Sequence, residues 1–151
     1  MHRMITSDAI DWKAPNGDHP ARAASQRSYS AVAKGDLDEW LTVYAEDAVI
    51  EDPVGPSMFD PEGKGHHGHD GIRAFWELAI GPIETFRFVI HDSHANGNTC
   101  ANIGRIRTSF ADGSSTTTEL IMVYVVNDDG RVASMKAYWE PDRTMASFTP
   151  A

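Results

Sequence analysis

Beyond Gly81-Pro82 the chain shows no helical periodicity and runs in β-rich stretches, and this half of the molecule constrains the fold most. Residues 85–91, 99–110, 116–126 and 131–140 are the strand-like runs. The second ends in the turn Ala111-Asp112-Gly113, and Asn127-Asp128-Asp129-Gly130 separates the third from the fourth. Long strands joined by tight turns make an antiparallel meander. The 116–126 run is the longest and most β-branched, and from Leu120 onward it is apolar at most positions. That pattern predicts a sheet covered on both sides, one by helices and a pocket, the other by a second subunit.

The first half reads as helix. Residues 1–18 are mixed and polar and read as an arm ahead of the domain. Pro20 is a good first helical residue after Asp18 or His19, and Gly35 closes a helix over 20–34. Asp36 caps a second helix, with Leu37, Trp40, Leu41 and Tyr44 as its apolar stripe and Glu39 in capping-box position. A short strand over 48–52 and a loop over 53–68, with three prolines and four glycines, come next. Asp70 is expected to cap a third helix to about residue 79, carrying Ile72, Phe75, Trp76 and Ala79 on one side. Helices segregated on one face of an antiparallel sheet define an α+β fold. A bent sheet wrapped over them forms a cone whose mouth is a natural small-molecule pocket. The expected organisation is an arm over 1–18, one domain over 19–145 and a tail over 146–151.

Composition narrows the partners. Twenty-two Asp and Glu against thirteen Lys and Arg leave a net charge of −9, which repels phosphate backbones and anionic membranes. A small, mostly uncharged ligand fits better. The single cysteine, Cys100, excludes an internal disulfide and reads as a buried small hydrophobe of a cytoplasmic protein. Neither an apolar leader in 1–20 nor a run near the ~20 residues needed to span a bilayer is visible.

The most informative local stretch is Val49-Ile50-Glu51-Asp52-Pro53-Val54-Gly55. Strand alternation puts Asp52 beside Ile50 and Ala48, with Glu51 beside Val49. If the Ala48/Ile50 face is buried, Asp52 is a carboxylate in an apolar wall, with its proton affinity raised as a general base requires. The other reading is a strand-end aspartate capping the turn before proline.

Several segments together resemble the Δ5-3-ketosteroid isomerases. They are Gln26-Arg27, Ala33, Gly35-Asp36-Leu37-Asp38, Tyr44-Ala45-Glu46-Asp47-Ala48, Glu51-Asp52-Pro53-Val54-Gly55 and Gly71-Ile72-Arg73-Ala74-Phe75. Asn127 to Gly130, followed by Val132, Ser134, Met135 and Ala137, agrees as well. The wider group is the NTF2-like (SnoaL-like) superfamily, a cone-shaped, often dimeric α+β fold, and the loop over 57–68 looks more like that of actinobacterial relatives. The resemblance implies that Asp52 is the base that moves a proton on a ketone, a reaction the isomerases perform with a tyrosine and a protonated aspartic acid on the oxygen.

Those oxygen partners are not reproduced. Ser28 stands where the family tyrosine does, Tyr29 is one residue (about 100°) further round the helix, and Met122 replaces the acid. Tyr44 keeps a phenol at one supporting position, whereas Trp76 stands at the other. Losing one oxyanion donor typically costs about 2.7–4 kcal/mol, so two losses matter.

Three readings of function are carried forward. The first is an isomerase acting on a steroid- or polyketide-like ketone without a cofactor. Asp52 shuttles the proton, Tyr44 and Tyr29 polarise the oxygen, and Ser28, Val54, Met58, Phe75, Trp76, Phe88, Met122 and Trp139 contact the substrate. The second is a steroid- or lipid-binding protein that has lost turnover, and the third a dehydratase, cyclase or epoxide-opening relative. His66, His67 and His69 form a cluster on a glycine-rich loop, read as exposed histidines or a lid and not as a metal site.

Overall fold

The computed structural model of the chain describes residues 9–151. Its elements, in order, are β1 (Ile10–Trp12), α1 (Pro20–Lys34), α2 (Leu37–Val43), β2 (Tyr44–Glu51), β3 (His66–His67), α3 (Gly68–Phe75), a π-helical turn (Trp76–Ile80), β4 (Thr85–Asn96), β5 (Thr99–Ser109), β6 (Ser115–Val126), β7 (Val132–Tyr138) and α4 (Pro141–Ala146). The seven strands form one sheet in the order β1-β4-β5-β6-β7-β2-β3. Strands β4 to β7 are the expected antiparallel meander, while β1 on β4 and β2 on β7 add parallel pairs, so the sheet is mixed.

The helix signals act as expected at most ends. Pro20 opens α1, His19 Nδ1 accepts from the Ala21 amide, and Gly35 closes the helix at φ 70°. The Asp36 carboxylate accepts from the Glu39 amide at 3.0 Å. Glu39 does not complete a reciprocal capping box, because its carboxylate pairs with Lys34 at 3.1 Å. Asp70 is not the cap of α3: the helix begins at Gly68, and Asp70 lies in its first turn, where a carboxylate favours the helix dipole.

Two corrections concern the ends of the chain. Within the polar arm expected over 1–18, residues 1–8 lie outside the described residues, but Ile10–Trp12 pair with Phe88–Ile90 and extend the sheet. After β7, Pro141 opens α4, and the following chain is tied back to β6. Ser147 bridges the Thr117 backbone at 2.8 and 3.0 Å, and Thr149 pairs with Ser115.

Curvature places the core. The register of β4 on β5 slips between Ile90 and Asp92, a bulge that bends the sheet. Opposite it, Gly104 presses against Val89, and a Cβ built at this glycine would run into the Val89 carbonyl oxygen. In the concavity α1 lays down a face of small residues, among them Ala21, Ala24, Ser25, Ser28 and Ala31, all buried, which lets the helix approach closely. Trp40, Tyr44, Ala48, Ile50, Ile72, Phe75, Met122 and Tyr124 complete the core. Gly104→Ala is expected to lower unfolding stability by about 1–3 kcal/mol, the usual cost of forcing an added methyl into packed structure, as read from urea midpoints at constant slope.

Candidate active site

Within the core, two adjoining chambers share Asp52, Phe75, Ile80, Phe86 and Ile106 as lining. The inner one, about 70 Å³, reaches Ser28 and Tyr29 of α1, Tyr44 of β2, and Met122 and Tyr124 of β6. The outer one, about 260 Å³, is walled by Phe59, Leu120 and Trp139 and rimmed by Met58, Leu78 and Met145, each more than half exposed. The π-helical turn widens the helix where it meets both chambers, so Leu78, Ala79 and Ile80 all face this hollow.

Asp52 sits where the chambers meet. Alternation along β2 delivers it: Ala48 and Ile50 are fully buried, while Glu51 turns to the other face and pairs with Lys136 at 3.8 Å. The Trp139 indole Nε1 donates to Asp52 Oδ1 at 2.6 Å. Burial raises the Asp52 carboxyl to about 6, and the indole bond partly offsets that by favouring the charged form. Among the described residues it is the only carboxylate lining either chamber.

The inner chamber carries neutral hydroxyls. Ser28 Oγ accepts from Trp40 Nε1 at 3.0 Å and meets the Tyr44 hydroxyl at 3.3 Å. Tyr29 Oη lies 3.6 Å from Met122 Sδ, and Tyr124 Oη approaches the same sulfur at 3.7 Å. Burial pushes the phenols of Tyr29, Tyr44 and Tyr124 well above their ordinary value, so all three keep their protons and remain donors. An apolar pocket with one titrating carboxylate and several neutral donors suits moving a proton next to a carbonyl.

Residues 25–135 match the SnoaL-like domain family. The chain belongs to the SnoaL-like family. It is 31% identical to a curated steroid Delta-isomerase from Nocardioides simplex over 80% of this chain and 89% of that protein. The crystal structure of a Delta 5-3-ketosteroid isomerase from Mycobacterium sp. superposes with a TM-score of 0.78 at 31% identity, covering 89% of this chain and all of the other. A Mycobacterium tuberculosis protein in complex with estradiol-17beta-hemisuccinate gives a TM-score of 0.77 at 29% identity, over 87% of this chain and 99% of that one. The fold is NTF2-like, with helices on a mixed sheet.

Most expected residues meet in the SnoaL-like hollow. Asp52, Tyr44, Tyr29, Ser28, Phe75, Phe88 and Met122 line the inner chamber, and Met58 and Trp139 the outer. Tyr29 faces inward despite its helical offset from Ser28, because the chamber wraps around that side of α1. Val54 does not line it. Alternation fails once β2 ends at Glu51, and Val54 emerges on the outer face near Ile121 and Tyr138. Trp76 does not line it either, since the helix turns it toward Trp40, at a ring distance of 5.2 Å, while Phe75 takes the cavity side.

The three imidazoles lie on β3 and α3 and not on a loop, and they have separate partners. His67 bonds the Lys64 carbonyl at 2.7 Å, His69 the Tyr44 carbonyl at 2.9 Å, and His66 packs on Phe75 at 5.0 Å. Tyr124, which shares a strand face with Met122, lines the inner chamber as well.

The raised Asp52 pKa carries a stability cost. The folded chain holds this proton up to about pH 6, whereas the unfolded chain releases it near ~3.9, so stability from this group falls as pH climbs through that window. Asp52→Asn should therefore raise Tm by at least about 2–4 °C at pH 8, roughly the shift per kcal/mol in a chain of this size, and give no gain below pH 4. Calorimetry across that range checks it.

Proposed function

We propose that this protein is a steroid-isomerase-like enzyme that moves a proton on a hydrophobic ketone. The observation that carries the reading is a lone carboxylate with its pKa near 6 in an apolar hollow faced by neutral phenols. The ionised Asp52 takes a proton from the carbon beside the ketone, and the electron pair moves onto the oxygen as an enolate. Tyr44 and Tyr29 donate to that oxygen. Asp52 then returns the proton two carbons away, which regenerates the carboxylate and conjugates the product. The single buried cysteine fits a reducing, cytoplasmic setting. Among the described residues no helix is long and apolar enough to cross a membrane.

A 5-en-3-one steroid should gain conjugated-ketone absorbance with the purified protein, and Asp52→Asn should slow this by about 10²–10⁴-fold, the usual contribution of a general base. Because the base must be ionised, kcat/KM should rise with pH and half-level near 6. An Asp52→Asn variant as active as the parent would remove the reading.

A second reading is favoured by Ser28 and Met122, which stand where the isomerases keep their oxygen donors: a protein that holds a steroid without turnover. Saturable steroid binding with no product and no dependence on Asp52 would establish it. A dehydratase or cyclase chemistry would use the same carboxylate. Epoxide opening calls for an arginine with two carboxylates around one water, whereas Arg105 and Arg107 are exposed on the face away from the hollow and Asp52 is the one carboxylate among the described residues lining it.

We also propose that the outer sheet face pairs two copies of the chain. Val54, Ile103, Ile121 and Tyr138 are each more than a third exposed there, with Ile121 in register with both Ile103 and Tyr138. Light scattering at micromolar concentration should give twice the chain mass, and the monomer mass would count against it.

A further inference from the structure

Behind the inner chamber runs a buried chain of hydrogen bonds whose direction can be fixed link by link. It starts at Arg22, which is 8% exposed and whose guanidinium can only donate. Its terminal nitrogens bond the carbonyls of Gly17 at 2.7 Å and Ser93 at 3.3 Å, and Nε donates to Ser93 Oγ at 3.0 Å. Ser93 therefore sends its own proton onward, to Asn102 Oδ1 at 2.7 Å. Cys100 Sγ approaches the same oxygen at 3.2 Å.

That bond sets the amide of Asn102, which is wholly buried. With Oδ1 turned to Ser93, Nδ2 must face α1, where it lies 2.9 Å from both Ser25 Oγ and Tyr29 Oη. Ser25 directs its proton to the Arg22 carbonyl at 2.7 Å, so it receives from the amide. The second amide hydrogen goes to Tyr29. An amide NH₂ accepts nothing, so the Tyr29 proton cannot point back to Asn102. On the chamber side the hydroxyl meets Met122 Sδ, a weak acceptor, and the Tyr124 hydroxyl that shares that sulfur.

We propose that Asn102 is a positioning residue: oriented from Arg22 through Ser93, it turns the Tyr29 proton into the inner chamber, where Tyr29 donates to the oxygen of a bound ketone. This rests on the reading of the hollow as a ketone site. In the free protein the phenol proton rests among Met122 Sδ and the Tyr124 hydroxyl, and the carbonyl oxygen of an entering ligand, a stronger acceptor than the thioether, takes it over. The family tyrosine lost at Ser28 is thereby replaced from the next residue, by a donor aimed from the sheet and not from its own helix.

The test uses a 3-ketosteroid with ¹³C at its carbonyl carbon, bound to the full chain and read by its infrared carbonyl stretch, alongside exchange of the proton on the adjacent carbon. Tyr29→Phe should move the band up toward its position in apolar solvent and lower kcat by about 10²-fold. Asn102→Ala should move it the same way and lower kcat by about 10-fold with little change in KM. In the Tyr29→Phe background, Asn102→Ala should add nothing to the band.

A band unmoved by Asn102→Ala, or a shift that adds in full to that of Tyr29→Phe, overturns the inference. Should Asn102→Ala not fold, Asn102→Asp offers Tyr29 an acceptor in place of a donor and must raise the band as Tyr29→Phe does; a band at the parent position overturns it equally. A band that responds as expected without any Asp52-dependent exchange supports the positioning role and removes the proton-transfer reading. Asp52-dependent exchange with an indifferent band removes the positioning role alone, and a ketone that does not bind removes both.

Discussion

The close pass of the Val89 carbonyl over the α-carbon of Gly104 is the contact on which the hollow depends. It lets β4 and β5 stay paired through a bulge, and a bulged antiparallel pair bends and twists more than a regular one. The bend opens a concave face deep enough for α1 and a void. A larger residue at position 104 would push the strands apart or flatten them. Asp52, one residue past the end of β2, and Met122 of β6 owe their meeting to that curvature, since both face a common space.

Within that space, desolvation and one indole N–H set the chemistry between them. Burial alone would make Asp52 a poor anion, and a fully satisfied carboxylate would make it a poor base. A single 2.6 Å bond from Trp139 leaves it between these limits. The phenols show the complementary effect, because burial holds them neutral and therefore able to donate. Charge is thus confined to one atom group in a wall that is otherwise uncharged, at a cost in stability.

Much of this was legible in the chain and some of it was not, for reasons that differ by residue. The alternation of Ala48, Ile50 and Asp52 and the i, i+3, i+4 stripe around Trp40 are local, so they survive folding unchanged. Pro141 was also a readable helix start that the sequence reading passed over. Trp139 was expected in the pocket, but its bond to Asp52 depends on the parallel register of β2 on β7, which nothing local encodes. Val54 was misplaced because parity holds only while the ladder lasts. Asn102 gave no signal at all. An asparagine in a strand is unremarkable until Arg22, Ser93, Ser25 and Tyr29 are brought around it from separate elements.

The unequal size of the two chambers has its own consequence. The inner chamber, about 70 Å³, has little more than a quarter of the outer chamber's about 260 Å³. On the proposed reading, a bulky guest enters tip-first past Asp52, with its trunk against Phe59, Leu120 and Met145 of the larger chamber. Recognition then separates along the length of the guest. On that reading the deep end discriminates chemistry, whereas the vestibule, formed partly by α4, discriminates only bulk and can be remodelled without disturbing Asp52 or the phenols.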